Sequence, residues 1–81
     1  MKQDVLSINL LFPVLNERLR LENGIERSMA YLKENVTIPY QLTILDNGSE
    51  DETPEIGKAL AAKYPEVSYV RVGERGGGVA F

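Results

Sequence analysis

The chain has 81 residues, 43% of them hydrophobic, and its nine basic and twelve acidic residues give a net charge of −3. This length allows one small domain, and the apolar content is ordinary for a folded protein. It contains no cysteine and no histidine, which excludes disulfides, thiol nucleophiles and imidazole bases, and its basic residues form no stripe that would predict a nucleic-acid partner.

The first predicted element is a strand from Val5 to Phe12, with the sequence VLSINLLF. Its apolar residues occupy both alternating positions, a pattern typical of a strand that is covered on both faces. Pro13 cannot donate a hydrogen bond to a sheet ladder, so we expect the strand to end before it. Asn16 to Arg20 then forms a polar connection.

A helical period follows, from about Leu21 to Asn35. Apolar residues that recur every three or four positions predict a buried face, formed by Leu21, Ile25, Met29, Leu32 and Val36. The charged residues predict a solvated face without ion pairs, formed by Glu22, Glu26, Arg27, Lys33 and Glu34.

The second strand is predicted from Gln41 to Leu45, followed by the polar turn Asp46-Asn47-Gly48-Ser49, in which Gly48 is free to adopt a positive φ. The second helix is expected from Pro54 to Lys63, with Thr53 as its N-cap. Its inner face would consist of Ile56, Ala59, Leu60 and Tyr64.

The third strand is expected from Val67 to Val72 and leads into the glycine-rich segment Gly73 to Gly78. The four tyrosines (Tyr31, Tyr40, Tyr64 and Tyr69) are expected to pack with their hydroxyls at the surface. The order β-α-β-α-β predicts a Rossmann-like α/β fold with a three-stranded parallel sheet and right-handed crossovers. Residues 73–81 would then lead into another helix, or would form a simple tail.

All three predicted strands end in polar loops: Pro13–Glu17, Asp46–Asp51 and Glu74–Gly78. In a parallel sheet these ends lie on one side, where ligands of open α/β sheets bind. Glu17, Asp46 and Arg75 could therefore converge on a ligand that carries hydroxyls and phosphates.

Each of these features also has a purely structural interpretation. Asp46 to Ser49 could be only a tight turn, and Glu17 a solvated loop charge. Glu50-Asp51-Glu52 resembles a metal cluster, but carboxylates ahead of a helix also favour its positive end without a metal. Gly76-Gly77-Gly78 could be a flexible terminus.

The standard phosphate-binding motifs are absent from the sequence. It has no G-x-x-x-x-G-K-[ST] segment, and no G-x-G-x-x-G segment follows the first strand. A Rossmann dehydrogenase is therefore disfavoured despite the similar topology.

Three segments resemble motifs of the family 2 glycosyltransferases. Pro13-Val14-Leu15-Asn16-Glu17 is similar to their P-x-x-N-E segment, and Asp46 to Thr53 is similar to D-[DN]-G-S-x-D-x-T. Arg75 to Ala80 resembles their N-x-G-x-G-x-A entry into the next helix, although it is richer in glycine. The resemblance implies a GT-A fold, and residues 1–81 would be part of its nucleotide-binding domain, ahead of the D-x-D motif.

The same resemblance implies a site for a nucleotide-sugar such as a UDP- or GDP-sugar, whose sugar is transferred to a lipid, polysaccharide or protein acceptor. By position, Pro13, Leu15 and Glu17 would border the nucleoside. Asp46 would hydrogen-bond the base, with Asn47 beside it, and Arg75 would face the nucleotide.

Residues that the family uses for the metal, the acceptor and catalysis lie in its later segments. The resemblance therefore implies that these 81 residues contain no catalytic residue and have no transferase activity alone. It also implies that Mg²⁺ or Mn²⁺ is bound only in a full-length enzyme. Membrane contact would come only from downstream regions, and a cytoplasmic location is expected. The alternative is a small non-catalytic α/β module that binds a nucleotide or has a structural role. In either case an open sheet edge favours self-association.

Overall fold

Residues 6–72 are described by a computed structural model of the chain, and they form five regular elements. These are β1 (Ile8–Val14), α1 (Leu21–Asn35), β2 (Tyr40–Asp46), α2 (Thr53–Lys63) and β3 (Val67–Arg71). Both β1 and β3 pair with β2 in parallel, so the strand order is β1-β2-β3. The predicted Rossmann-like β-α-β-α-β fold with a three-stranded parallel sheet is therefore confirmed.

Both helices pack on the same face of this sheet, the arrangement expected for two right-handed crossovers that run in the same direction. The register aligns Phe12 with Ile44 and Ile44 with Tyr69, so these three side chains share a face. Phe12 lies against Gly24 of α1, and Tyr69 lies against Gly57 of α2. The buried core is formed on this face by Val14, Leu21, Ile25, Met29, Leu32, Leu42, Ile44, Leu60 and Val67.

The opposite face of the sheet is open within residues 6–72, so the prediction that the first strand is covered on both faces is wrong for this part of the chain. Leu11 is 61% exposed and Val70 is 42% exposed. Apolar residues at both alternating positions of a strand indicate that the strand is stable when both of its faces are covered. They do not identify the segment that supplies the second cover.

Pro13 lies inside β1, so the prediction that it ends the strand is also wrong. The amide of Ile8 donates to Pro39 O (2.9 Å) and Val14 O accepts from the amide of Asn47 (3.0 Å). Because parallel ladders alternate, even-numbered residues of β1 therefore direct their backbone groups to β2. Pro13 is odd-numbered and lies opposite Leu45, so its missing N–H falls on the edge away from β2, where no strand within residues 6–72 pairs with β1.

Helix α1 has the predicted bounds, and four of its five predicted inner residues are buried, with Val36 partly so. Its outer face is not purely solvated, however. The carboxylate of Glu26 accepts hydrogen bonds from Lys63 Nζ (2.8 Å) and from the Tyr64 hydroxyl, which ties α1 to the end of α2. These bonds lower the pKa of Glu26, the one from Lys63 most.

In α2 the residue that packs against the sheet is Gly57 rather than Ala59, which is exposed. A Cβ at Gly57 would fall 2.8 Å from Tyr69 Cε1 and nearer still to Cδ1. The helix therefore carries no side chain where the Tyr69 ring crosses it. No helix within residues 6–72 has the length and hydropathy needed to cross a membrane.

Gly57→Ala should destabilise the protein by about 1–3 kcal/mol, because overpacking against a ring outweighs the gain of about 1 kcal/mol in helix propensity. Gly24→Ala is the matched control, because its Cβ would meet only the tip of Phe12 at 3.3 Å. We expect Gly24→Ala to be neutral or stabilising in urea denaturation. Equal effects of the two substitutions would contradict this account.

Candidate functional site

The loops that follow β1 and β2 are joined by four hydrogen bonds. The amide of Asn16 donates to Ser49 Oγ (2.8 Å), and the amide of Glu17 donates to Thr53 Oγ1 (2.8 Å). The amide of Glu50 donates to Asn16 Oδ1 (2.8 Å). A longer bond of 3.3 Å runs from the amide of Arg18 to Asp51 Oδ2. Side chains of one loop thus satisfy backbone donors of the other, and the two loops form one unit.

Two residues with positive φ allow this arrangement. Asn16 has a φ of 52° and Gly48 a φ of 93°. Asparagine tolerates the left-handed region better than most residues, and Gly48 confirms the turn chemistry expected there. At Asn16 this conformation accompanies the use of both its backbone amide and its side-chain oxygen as contacts to the second loop.

Asp46 ends β2 on the helix-covered face and is 0% exposed. Its Oδ1 accepts from the Ser49 amide (2.8 Å), and its Oδ2 accepts from the Tyr69 hydroxyl (2.6 Å). Arg71 Nη1 lies 3.6 Å from the same Oδ2. A buried carboxylate requires such partners, because an unpaired one would be strongly disfavoured.

These partners keep Asp46 ionised. Burial raises the pKa of its carboxyl, but the hydrogen bonds from Tyr69 and Ser49 and the charge of Arg71 together outweigh burial, so the pKa lies below its ordinary value. Burial of the phenol raises the pKa of Tyr69, and its hydrogen bond to the same carboxylate raises that pKa further. Asp46 is therefore an anion held at the end of the sheet.

Ser49 is the junction between this anion and the other loop, and it is 2% exposed. Its amide donates to Asp46, its hydroxyl oxygen accepts from Asn16, and its carbonyl accepts from Arg71 Nη2 (3.0 Å). All its polar groups are thus bonded, which fixes the loop conformation at this residue.

Thr53 is not the N-cap of the second helix, so that prediction is wrong. It is the first residue of α2, it is fully buried, and its hydroxyl accepts from Glu17. The side chain of Asp51 instead satisfies a backbone donor at the start of α2, because its Oδ1 accepts a hydrogen bond from the Thr53 amide (2.8 Å). Burial raises the pKa of Asp51, but its hydrogen bonds with Thr53 and Arg18 outweigh this effect, so the pKa lies below its ordinary value.

The predicted site residues differ in their accessibility. Pro13, Leu15 and Asn47 are exposed, Glu17 is half-buried, and Asp46 is buried. Pro13 and Glu17 line a cavity of about 260 Å³ beside the start of α1. Glu17 lies in the loop after β1 and Asp46 is the last residue of β2, so both lie at the same end of the sheet. Arg75 lies outside the described residues, so its predicted convergence on this end stays a prediction.

The expected contact between Asp46 and a base also stays a prediction, since both carboxylate oxygens accept hydrogen bonds from the chain itself. Sequence reasoning missed Tyr69 and Arg71, which were assigned only to a strand, and it placed the Tyr69 hydroxyl at the surface. Their spacing of two residues was the available signal, because it places both on one face of β3 beside Asp46. No group of three acidic side chains within residues 6–72 is arranged to hold a metal ion.

Replacing Thr53 with valine removes the acceptor for the Glu17 amide while keeping the side-chain shape. We expect a loss of about 1–3 kcal/mol in the free energy of unfolding, the usual cost of an unpaired buried donor. Faster hydrogen exchange at the Glu17 amide should accompany it. Thr43→Val, in the middle of β2, is the control and should change stability by less than about 0.5 kcal/mol. Equal losses would show that the cross-loop bond is unimportant.

Asp46→Asn tests the ionised carboxylate through the pH dependence of unfolding. A lowered folded-state pKa means that ionised Asp46 stabilises the fold above the ordinary aspartate pKa of about 3.9, and that this stabilisation disappears as the pH falls through the folded-state value. The variant should therefore be less stable than the wild type at pH 7, with the difference shrinking below pH 4 or so. The exposed Glu34→Gln is the control. Parallel stability curves for wild type and Asp46→Asn would contradict this assignment.

Comparison of the sequence with known proteins identifies its family. The family model described as glycosyl transferase family 2 matches residues 10–81. The chain is similar to glucosyl-3-phosphoglycerate synthase of Petrotoga mobilis, with 40% identity over 62 residues, which cover 76% of this chain and 19% of that protein. It is also similar to a dolichyl-phosphate beta-glucosyltransferase of Trichomonas vaginalis, with 28% identity over 64 residues, 74% of this chain and 20% of that protein.

The chain therefore spans about a fifth of the length of these relatives. The family match nevertheless includes both joined loops, most of β1 and all of β2 and β3, and it covers most of the sequence. Of the three segments that suggested the resemblance, the two that follow β1 and β2 are joined at the carboxyl ends of these strands, and the third, Arg75 to Ala80, lies outside the described residues. This chain belongs to glycosyltransferase family 2.

Proposed function

We propose that this chain is the N-terminal part of a glycosyltransferase that transfers a sugar from a UDP- or GDP-sugar to a lipid, polysaccharide or protein acceptor, and that residues 1–81 bind the nucleoside part of the donor. Family membership supports sugar transfer. The loops at the carboxyl ends of β1 and β2 supply a location, because ligands of open parallel sheets bind there.

The observation that carries this proposal is the set of hydrogen bonds between the two loops. It uses the side chains of Asn16, Ser49, Asp51 and Thr53 for structure. The side chains that remain exposed at this end include an apolar one, Leu15, and an amide, Asn47. A nucleoside needs this combination of an apolar surface and a few fixed polar groups.

Within this site we assign the nucleoside border to Pro13, Leu15 and Glu17, and the base contact to the Asp46-Asn47 pair. Asp46 could accept from a base only by giving up a donor that it now holds, such as the Ser49 amide. Asn47 is exposed and its amide can both donate and accept. We therefore propose that Asn47 makes the more direct contact and that Asp46 supports it. Arg75 completes the proposed set.

The names of the two relatives suggest a donor sugar. Both describe glucosyl products or glucosyl transfer. We propose a glucosyl donor as the first to test. The divalent metal would be Mg²⁺ or Mn²⁺ and would bind outside residues 1–81, since this sequence contains no D-x-D segment. We also propose that the 81 residues alone transfer no sugar and associate through the open edge of β1.

Titration of the 81-residue chain with UDP and with GDP, each with and without Mg²⁺, tests the site. Amide chemical-shift changes are expected at Leu15 to Glu17 and at Asn47 to Ser49, and the preferred nucleotide identifies the donor class. Asn47→Ala should weaken binding about three- to tenfold, which corresponds to the loss of one hydrogen bond. Glu66→Gln, at the amino end of β3, is the control and should bind as the wild type does.

Two results would overturn the proposal. The first is a folded chain that shows no shift changes at millimolar nucleotide. The second is binding that maps to the amino ends of the strands. A different result would favour the alternative of a non-catalytic nucleotide-binding module. This result is a full-length relative that binds nucleotide at the corresponding loops but transfers no sugar.

A further inference from the structure

The geometry points to Tyr69 and Arg71 as positioning residues for nucleotide binding: from β3 they hold the loop after β2 in its binding conformation, through the Asp46 carboxylate and the Ser49 carbonyl. This inference rests on the proposed nucleoside site. Neither residue belongs to the motifs that carry the family resemblance, and neither is assigned a contact with the ligand.

Both residues contact Asp46 across the sheet. β3 is aligned so that Asp46 lies opposite Arg71, with Tyr69 two residues earlier on the same face. The Tyr69 hydroxyl donates to Asp46 Oδ2 (2.6 Å), and Arg71 Nη1 lies 3.6 Å from that oxygen. Asp46 is completely buried, so it depends on these partners for its charge.

The contacts continue from Asp46 and Arg71 into the loop after β2. The other oxygen of Asp46 accepts from the Ser49 amide (2.8 Å), while Arg71 Nη2 donates to the Ser49 carbonyl (3.0 Å). Asp46 and Arg71 thereby hold both backbone polar groups of Ser49. Asn47 and Gly48 lie between these fixed points, so the conformation of the proposed base-contacting residue is determined from both ends.

Ser49 also connects this network to the loop after β1. The hydroxyl oxygen of Ser49 accepts from the amide of Asn16, next to Glu17. A displacement of Ser49 would therefore move the loop after β1 as well. The Tyr69 ring is itself fixed against Gly57 of α2, so the network starts from a rigid part of the fold.

The network has one anion and one cation within residues 6–72. Among the described residues, the titratable or charged groups that contact Asp46 are Tyr69 and Arg71, both from β3. On the β1 side Asp46 lies opposite the apolar Val14, and from the loop after β2 it contacts the uncharged Ser49. Removing either β3 group should raise the pKa of Asp46. Nucleotide binding should then begin to fail at a higher pH than in the wild type.

The test uses Tyr69→Phe, Arg71→Gln and Arg71→Lys in the 81-residue chain. Tyr64→Phe is the matched control, because its hydroxyl also donates to a carboxylate, but at Glu26, between the two helices. The readouts are the Asp46 carboxyl pKa by carbon NMR, hydrogen exchange at the Asn16 and Ser49 amides, and UDP or GDP affinity between pH 3 and 8 or so.

For Tyr69→Phe and Arg71→Gln we expect roughly tenfold weaker nucleotide binding at neutral pH, a higher Asp46 pKa and faster exchange at both amides. The lower pH limit of binding should rise together with the Asp46 pKa. Arg71→Lys should recover part of the charge effect but not the bond to Ser49. Tyr64→Phe should leave binding and its pH profile unchanged, even if it lowers the unfolding midpoint.

The inference is overturned if Tyr69→Phe and Arg71→Gln fold and bind nucleotide with the wild-type affinity and pH profile. If the wild type binds no nucleotide, the proposed function fails instead. The amide exchange and the Asp46 pKa then decide the positioning inference separately. Unchanged values in both variants would reject it, and shifts confined to these two variants would support it.

Discussion

The structure depends on one buried anion, Asp46, at the end of the central strand. A carboxylate without solvent is stable only when hydrogen bonds and a counter-charge replace its water. Here the replacements come from two directions: the loop that follows it, through the Ser49 amide, and the neighbouring strand, through Tyr69 and Arg71. The need to satisfy this charge therefore joins β2, β3 and the β2–α2 loop into one arrangement.

The same loop then organises its neighbour. Ser49 and Thr53 are buried polar side chains whose oxygens accept backbone amides from the loop after β1. Such loops would otherwise be free to move independently, because their own residues form no regular ladder. The polar residues of both motifs thus have a structural role, and exposed neighbours such as Leu15 and Asn47 are free for a ligand.

Packing below the site supports this arrangement. Gly57 lets α2 approach the Tyr69 ring closely, and that ring directs its hydroxyl to Asp46. At the carboxyl end of α2, Lys63 and Tyr64 donate hydrogen bonds to Glu26 of α1. The apolar core between these two regions is small, as expected for a chain of this length. Polar contacts at its two ends therefore fix how the helices lie on the sheet.

The sequence by itself determined the order and type of the elements, the parallel sheet and the family. Periods of 3.6 and 2 residues are local properties of the chain, and the motifs are continuous segments. It also predicted that the polar loops after the first two strands lie at one end of the sheet, because both follow an apolar strand of the same parallel sheet.

Only the tertiary structure decided what each polar residue contacts. Thr53 is a helix-cap residue by its local sequence, but its hydroxyl bonds to Glu17, 36 residues away. Tyr69 is a packing residue by its strand, but its hydroxyl bonds to Asp46, 23 residues away. Pro13 continues a strand because its nitrogen faces the edge away from β2, a consequence of register. Hydrogen-bond partners distant in sequence depend on how the strands are aligned, and no local pattern encodes that alignment.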